Sequence, residues 1–153
     1  MKVISDMEHV EVDIFSESGE IPVYKHEGDA GMDVKSIVST ILTPGSREAI
    51  KTGLYFNIPE GFEFQVRPRS GLAVNHGITV LNSPGTIDAT YKGELQVILH
   101  NSSTLDFRIQ PGDRIAQIVL KRVPFVEWKV LKSKAELEAS SRGEGKFGST
   151  GKN

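Results

Sequence analysis

An all-β fold is predicted by three features of the chain: short segments rich in β-branched and aromatic residues, alternation of polar and apolar positions within them, and turn residues between them. Val10, Val12 and Ile14 alternate with polar neighbours, and Phe62, Phe64 and Val66 do so after the turn Pro59-Glu60-Gly61. Each is expected to be a half-buried strand. Leu95 to Leu99 and Ile115 to Leu120 are more continuously apolar, as inner strands are. Leu105, Phe107 and Ile109 alternate again before Pro111-Gly112-Asp113. Further strands are expected at Val34 to Ile41, Ala49 to Ile58, Ile78 to Leu81 and Phe125 to Val130. Many short strands of this kind suit a jelly-roll-like β-barrel.

One stretch departs from this pattern. Residues Ser70 to Gly77 have the length of about two helical turns, with Ser70 as a candidate N-cap and Gly77 as a terminator. After Leu131 the chain becomes rich in Lys, Glu and Ser, and Arg142 to Gly151 carries four glycines. The expectation is one β domain over residues 1–138, followed by a flexible glycine-rich arm over 139–153 that orders on a ligand.

A chain of 153 residues is well served by a single hydrophobic core. Apolar residues make up 38% and charged residues 25%, well away from the composition of disordered chains. With 18 basic against 20 acidic side chains, the excess needed to neutralise a nucleic-acid backbone is missing, and no nucleic-acid partner is expected. The absence of cysteine removes disulfides, thiolate metal sites and thiol nucleophiles together. No apolar run reaches the roughly 18 residues of a membrane span, and the first residues lack a signal-peptide core. A cytoplasmic protein, or a nuclear one in a eukaryote, is the expectation.

Three segments could carry chemistry. Residues Asn82 to Glu94 read as a hairpin punctuated by Pro84-Gly85 and Lys92-Gly93, with Asp88 and Tyr91 three apart. An exposed carboxylate there either supports a turn or accepts a proton from an attacking water. Arg67-Pro68-Arg69-Ser70-Gly71 sets guanidinium, hydroxyl and helix-start N–H groups close together, either as a solvated basic turn or as a phosphate site. The tail shares the glycine spacing of a P-loop at Gly143 and Gly148. Ser149 stands where that motif has lysine and no helix follows, so a Walker site is rejected. What remains is a strip able to wrap a nucleotide or to do nothing. The four histidines, His9, His26, His76 and His100, lack zinc-site spacing.

Together these segments resemble the trimeric dUTPase family through five motifs in the family's order: Ala30 to Val34, Arg67 to Ala73, Gly85 to Glu94, Gly112 to Val119, and Arg142 to Gly151. The resemblance implies a Mg²⁺-dependent dUTP diphosphatase, a homotrimer with active sites shared between subunits, that yields dUMP and pyrophosphate. It implies that Asp88 deprotonates the water that attacks the α-phosphorus. It also implies that Tyr91 lies against the deoxyribose and excludes a 2′-hydroxyl, while Asn82 and the main chain around Gly85 and Ile87 read uracil. Arg69, Ser70, Gly71 and Gln117 would hold the phosphates, and Arg142, Phe147, Gly148, Ser149 and Thr150 would close over the nucleotide. Mg²⁺ would be held mainly by the phosphates, with Asp33 acting through its water shell. The chain departs from the family's commoner residues at Ser36, Lys92 and Lys146, the last expected to point to solvent or phosphate. Two rivals are a dCTP deaminase, whose fold is related, and a nucleotide-sensing regulatory protein on the same fold.

Overall fold

The structure is a computed structural model and describes residues 6–148 and 150–152. Among the described residues eleven strands and one α-helix account for the longer regular elements, with a 3₁₀ turn at Lys134–Glu136. The strands are β1 (Asp13–Ser16), β2 (Met32–Lys35), β3 (Thr40–Leu42), β4 (Arg47–Lys51), β5 (Leu54–Asn57) and β6 (Phe62–Arg67). After helix α1 (Ser70–His76) come β7 (Ile78–Val80), β8 (Gly85–Asp88), β9 (Gln96–Asn101), β10 (Phe107–Ile109) and β11 (Arg114–Arg122). The expected all-β class with one short helix is met. The barrel is not closed: among the described residues the strands pair in four open sheets, β1-β5, β10-β3, β2-β11-β6-β8 and β4-β9-β7. No described helix is long and apolar enough to cross a membrane.

Two of the expected long strands are each divided in two, for local chemical reasons. Within Val34 to Ile41 the Ser36 hydroxyl donates to the Val38 carbonyl at 2.8 Å and accepts the Val38 N–H at 3.0 Å. That side-chain turn competes with the sheet ladder and sends β2 and β3 into different sheets. Within Ala49 to Ile58 the break falls at Gly53, whose φ of 67° is open to glycine at little cost. There the Thr52 hydroxyl donates to the Leu95 carbonyl at 2.6 Å. The strand expected from Val10 begins only at Asp13, with Val12 packed against the core. Phe125 to Val130 forms no strand, and Phe125, Trp128 and Val130 lie almost wholly in solvent. Among the described residues this segment pairs with no strand.

The core collects one or two residues from nearly every strand. Val34, Leu42, Ile50, Ile78, Leu99, Ile109 and Ile118 are all essentially inaccessible to water. Strand β6 shows the period-two rule plainly: Phe64 and Val66 point inward while Glu63, Gln65 and Arg67 are half-buried on the other face. Helix α1 starts one residue earlier than expected, since Arg69 and not Ser70 is its N-cap. Gly77 terminates it as expected, at φ 65°.

Among the described residues Ser36, Thr52 and Asn101 are the buried polar side chains, and Asn101 is the most enclosed. Asn101 donates through its amide to the carbonyls of Leu42 and Leu105, each at 2.8 Å. Its carbonyl oxygen accepts the Ser103 N–H at 2.9 Å and the Ser103 hydroxyl at 2.8 Å. It ties β9 to β3 and to the loop before β10. Asn101→Ala would strand those buried partners and is expected to cost on the order of 3 kcal/mol, measured as a lower midpoint of thermal or urea unfolding.

Candidate active site

The four-stranded sheet β2-β11-β6-β8 carries the polar positions singled out from the sequence. Strand β11 pairs on both sides, with Asp33 of β2 and Arg67 of β6 both opposite Gln117. Since Ala116 and Ile118 are buried, Gln117 must face outward, and it stands between a carboxylate and a guanidinium. Its amide donates to the Pro68 carbonyl at 2.9 Å, which fixes the side chain over the start of the Arg69 segment.

Asp33 is the electrostatic centre of this end of the sheet. One of its oxygens lies 3.2 Å from Arg69 Nε and the other 3.9 Å from Arg114 Nε. Arg69 is held a second time, by donation to the Arg114 carbonyl at 3.2 Å. Two anchors on two strands leave the rest of the fork to meet an anion. Beside it, the amides of Ser70 and Gly71 precede the first helical bond, which Ala73 donates to the Arg69 carbonyl at 3.0 Å. A cavity of about 420 Å³ adjoins Arg69, lined also by Lys35, Phe107, Arg114 and Ile115. Lys35 is paired at 2.7 Å with Glu20, whose carboxyl is held below its usual range by that hydrogen bond and by the lysine's charge. The Arg69 and Arg114 guanidiniums here face two carboxylates, that of Asp33 and that of Asp113, which also lines the cavity.

At the far edge of the same sheet lies Asp88, the last residue of β8 and exposed. The expected hairpin is not what carries it. Strand β8 pairs only with β6 among the described residues, and residues 89–95 form a turn region closed by the Tyr91 N–H on the Asp88 carbonyl at 3.0 Å. A cis Ser83–Pro84 peptide leads into β8. Gly85 is buried against Val66, and a Cβ there would sit 3.3 Å from the Asn82 amide nitrogen, so Asn82 lies over the strand's start. Ile87 packs on the core.

Along the strands, Asp88 is opposite Glu63, Glu63 is opposite Lys121, and Lys121 is four residues from Gln117. Two strand spacings and four rises place Asp88 on the order of 16 Å from Gln117. The structure thus brings together Asp33, Arg69, Ser70, Gly71 and Gln117, and separately Asn82, Gly85, Ile87, Asp88 and Tyr91. It does not bring the described residues of the tail to either group. Arg142 donates within its own turn to the Gly145 carbonyl at 3.1 Å, Lys134 pairs with Glu144, and Phe147 is fully exposed. Gly148, Thr150 and the side chain of Lys146 are exposed too, and Ser149 lies outside the described residues.

The described residues contain no group of three or more His, Asp or Glu that could cage a metal. A carboxylate has about four lone-pair positions, and Asp33, in ion pairs at 3.2 and 3.9 Å with two guanidiniums, keeps room to accept a further hydrogen bond. That donor set fits an ion held chiefly by a ligand's phosphates, with a metal-bound water reaching Asp33, and not an all-protein site.

Sequence patterns gave no separate role to Arg114 or Gly31. A Cβ on Gly31 would lie 2.3 Å from Gln117 Oε1. The glycine makes room for the glutamine, and its place beside Asp33 was the available signal.

A family model described as dUTPase matches residues 17–151. The deoxyuridine 5'-triphosphate nucleotidohydrolase of Fusobacterium nucleatum subsp. nucleatum is 48% identical over 149 residues, covering 95% of this chain and all of that protein. The protein of the same name from Nautilia profundicola is 51% identical, over 86% of this chain and 91% of its own length. Among solved structures, a Staphylococcus bacteriophage 80alpha dUTPase variant with dUpNHpp superposes at a TM-score of 0.82 and 27% identity, covering 92% of this chain and 98% of that one. A dUTPase variant from phage phi11 of S. aureus, described with a structural Mg(II) ion, shares the fold at a TM-score of 0.74 and 24% identity over 81% of this chain and 98% of its own.

Gly31→Ala should displace the Gln117 amide from the Pro68 carbonyl while leaving the fold intact. Binding of a non-hydrolysable dUTP analogue, followed by calorimetry, is expected to weaken by about tenfold, the equivalent of one hydrogen bond to a charged group.

Proposed function

The chain belongs to the dUTPase family, and on that premise we propose that it hydrolyses dUTP to dUMP and pyrophosphate by attack of an Asp88-activated water on the α-phosphorus. The family match over residues 17–151 carries this assignment, and the exposed carboxylate at the end of β8 supports the role given to Asp88. Asp88 takes a proton from the water as its oxygen bonds to phosphorus. The bridging bond to the β-phosphate breaks in line, and pyrophosphate leaves with the electron pair. The dUMP formed is a precursor for thymidylate, and removal of dUTP keeps uracil out of DNA.

Arg69, the amides of Ser70 and Gly71, and Gln117 hold the phosphate chain by charge-assisted hydrogen bonds. Mg²⁺, when bound to the phosphates, neutralises charge that builds on the leaving group. Asp33 keeps Arg69 aimed and can accept a hydrogen bond from the ion's water. Tyr91 lies against the deoxyribose, with Asn82 and the main chain at Gly85 and Ile87 against the base. Arg142, Phe147, Gly148, Ser149 and Thr150 belong to an arm over residues 139–153 that closes on bound nucleotide, with base stacking on Phe147 worth roughly 1–3 kcal/mol.

The assembly proposed is a homotrimer with shared sites, and the sheet geometry supports it. A base must lie within hydrogen-bond reach of its water, about 3 Å, yet Asp88 and Gln117 of one chain are on the order of 16 Å apart. In the proposed trimer Asp88 of one subunit serves phosphates gripped by another. The apolar segment from Phe125 to Val130, left in solvent by the lone chain, supports the same assembly.

Two measurements test these proposals. Pyrophosphate release should be seen with dUTP, depend on Mg²⁺, and be far weaker with dTTP, dCTP and UTP; ammonia release from dCTP would favour a deaminase instead. In the same assay Asp88→Asn should lower kcat by about 10²–10⁴-fold while nucleotide binding persists. Separately, Asp88→Asn and Arg69→Ala proteins, each inactive, should regain activity when unfolded and refolded together. Failure to complement would contradict sites built from two subunits.

A further inference from the structure

Tyr91 can read a sugar only if its ring is held still, and the chain beyond it holds the ring at its far end. Its N–H is bonded to the Asp88 carbonyl at 3.0 Å, and its hydroxyl donates to the Glu94 carbonyl at 2.7 Å. The ring thus folds back across its own turn. Glu94 is itself fixed, since its carboxylate accepts the Gly53 N–H at 2.9 Å. The next residue is anchored twice more, by the Leu95 N–H on the Leu54 carbonyl at 2.8 Å and by the Thr52 hydroxyl on the Leu95 carbonyl at 2.6 Å.

Between Tyr91 and Glu94 lies Gly93, and there the packing leaves no space for a side chain. A Cβ on Gly93 would stand 2.6 Å from the Tyr91 hydroxyl oxygen and 2.8 Å from the ring carbon that bears it. Gly93 is not among the glycines with positive φ, so the need for glycine is steric and not a matter of backbone conformation. Tyr91 remains 44% exposed, which leaves ring surface free for a ligand while its hydroxyl end is clamped.

We propose that Gly93 and Glu94 are positioning residues for sugar selectivity: Gly93 gives the Tyr91 ring its place, and Glu94 pins the turn that the ring is clipped to. This rests on the proposed contact of Tyr91 with deoxyribose. Glu94 also links the sugar-reading turn to the β4–β5 corner at Gly53, part of the core scaffold, so discrimination against a 2′-hydroxyl is set by the body of the domain and not by the loop alone.

The test is the ratio of kcat/KM for dUTP to that for UTP in folded, assembled variants. Gly93→Ala is expected to lower the ratio by about tenfold or more, the scale on which displaced groups of methyl size alter selection. Glu94→Ala should lower it as well, whereas Glu94→Gln, which keeps an oxygen for the Gly53 N–H, should stay close to the parent. Should Gly93→Ala fail to fold, the Glu94 pair decides alone. Tyr91→Ala separates the two levels of the argument. If Tyr91→Ala leaves UTP rejection intact, the sugar is read elsewhere and both readings fall. If Tyr91→Ala abolishes rejection but the Gly93 and Glu94 variants lose activity on both nucleotides in equal proportion, only the positioning proposal is overturned.

Discussion

The double pairing of β11 is the constraint on which the rest of the site depends. Gln117 has Asp33 opposite on one side and Arg67 on the other, and its neighbours Ala116 and Ile118 are buried. A slip of one residue would turn Gln117 into the core and Ile118 into solvent, so burial of the apolar set locks the register. With that register set, Asp33 reaches Arg69 and Arg114, and Gln117 reaches the Pro68 carbonyl. Three segments far apart in the chain meet because one strand sits between two others.

The same regularity that gathers Asp33, Arg69 and Gln117 keeps Asp88 of the same chain away from them. Strands in a sheet have fixed spacing and rise, so residues two strands and four rises apart cannot be drawn together without breaking the ladder. In the proposed chemistry these groups act together across more than one copy of the chain. The exposed segment around Trp128 agrees with such an arrangement, because a lone domain gains nothing by leaving large apolar side chains in water.

The turn after β8 is a second ordered unit with a different origin. It has no cross-strand partner beyond Asp88 among the described residues, and its order comes from the Tyr91 and Glu94 hydrogen bonds and from the Thr52-Gly53 corner. A buried threonine and a glycine of positive φ, in a place that sequence patterns assign to a continuous strand, thus support the residue proposed to read the sugar.

Much of the architecture was legible in the chain itself. Period-two alternation located β6 and β10, continuous apolar runs located β9 and β11, and the glycine at position 77 ended the helix where expected, because these signals are local: burial and the cost of positive φ act within a few residues. The five motifs likewise fixed the family, since residue identity at set spacings is a property of the sequence alone. Other outcomes depended on partners distant in the chain. The change of Asn82 to Glu94 from a hairpin to an edge strand with a clamped turn was decided by which strands lay within reach, and Phe125 to Val130 pairs with no strand among the described residues. The pairing of Asp33 with two arginines and the room that Gly31 and Gly93 leave for Gln117 and Tyr91 were decided by tertiary structure as well, because contacts of a few ångströms exist only once the strands are placed.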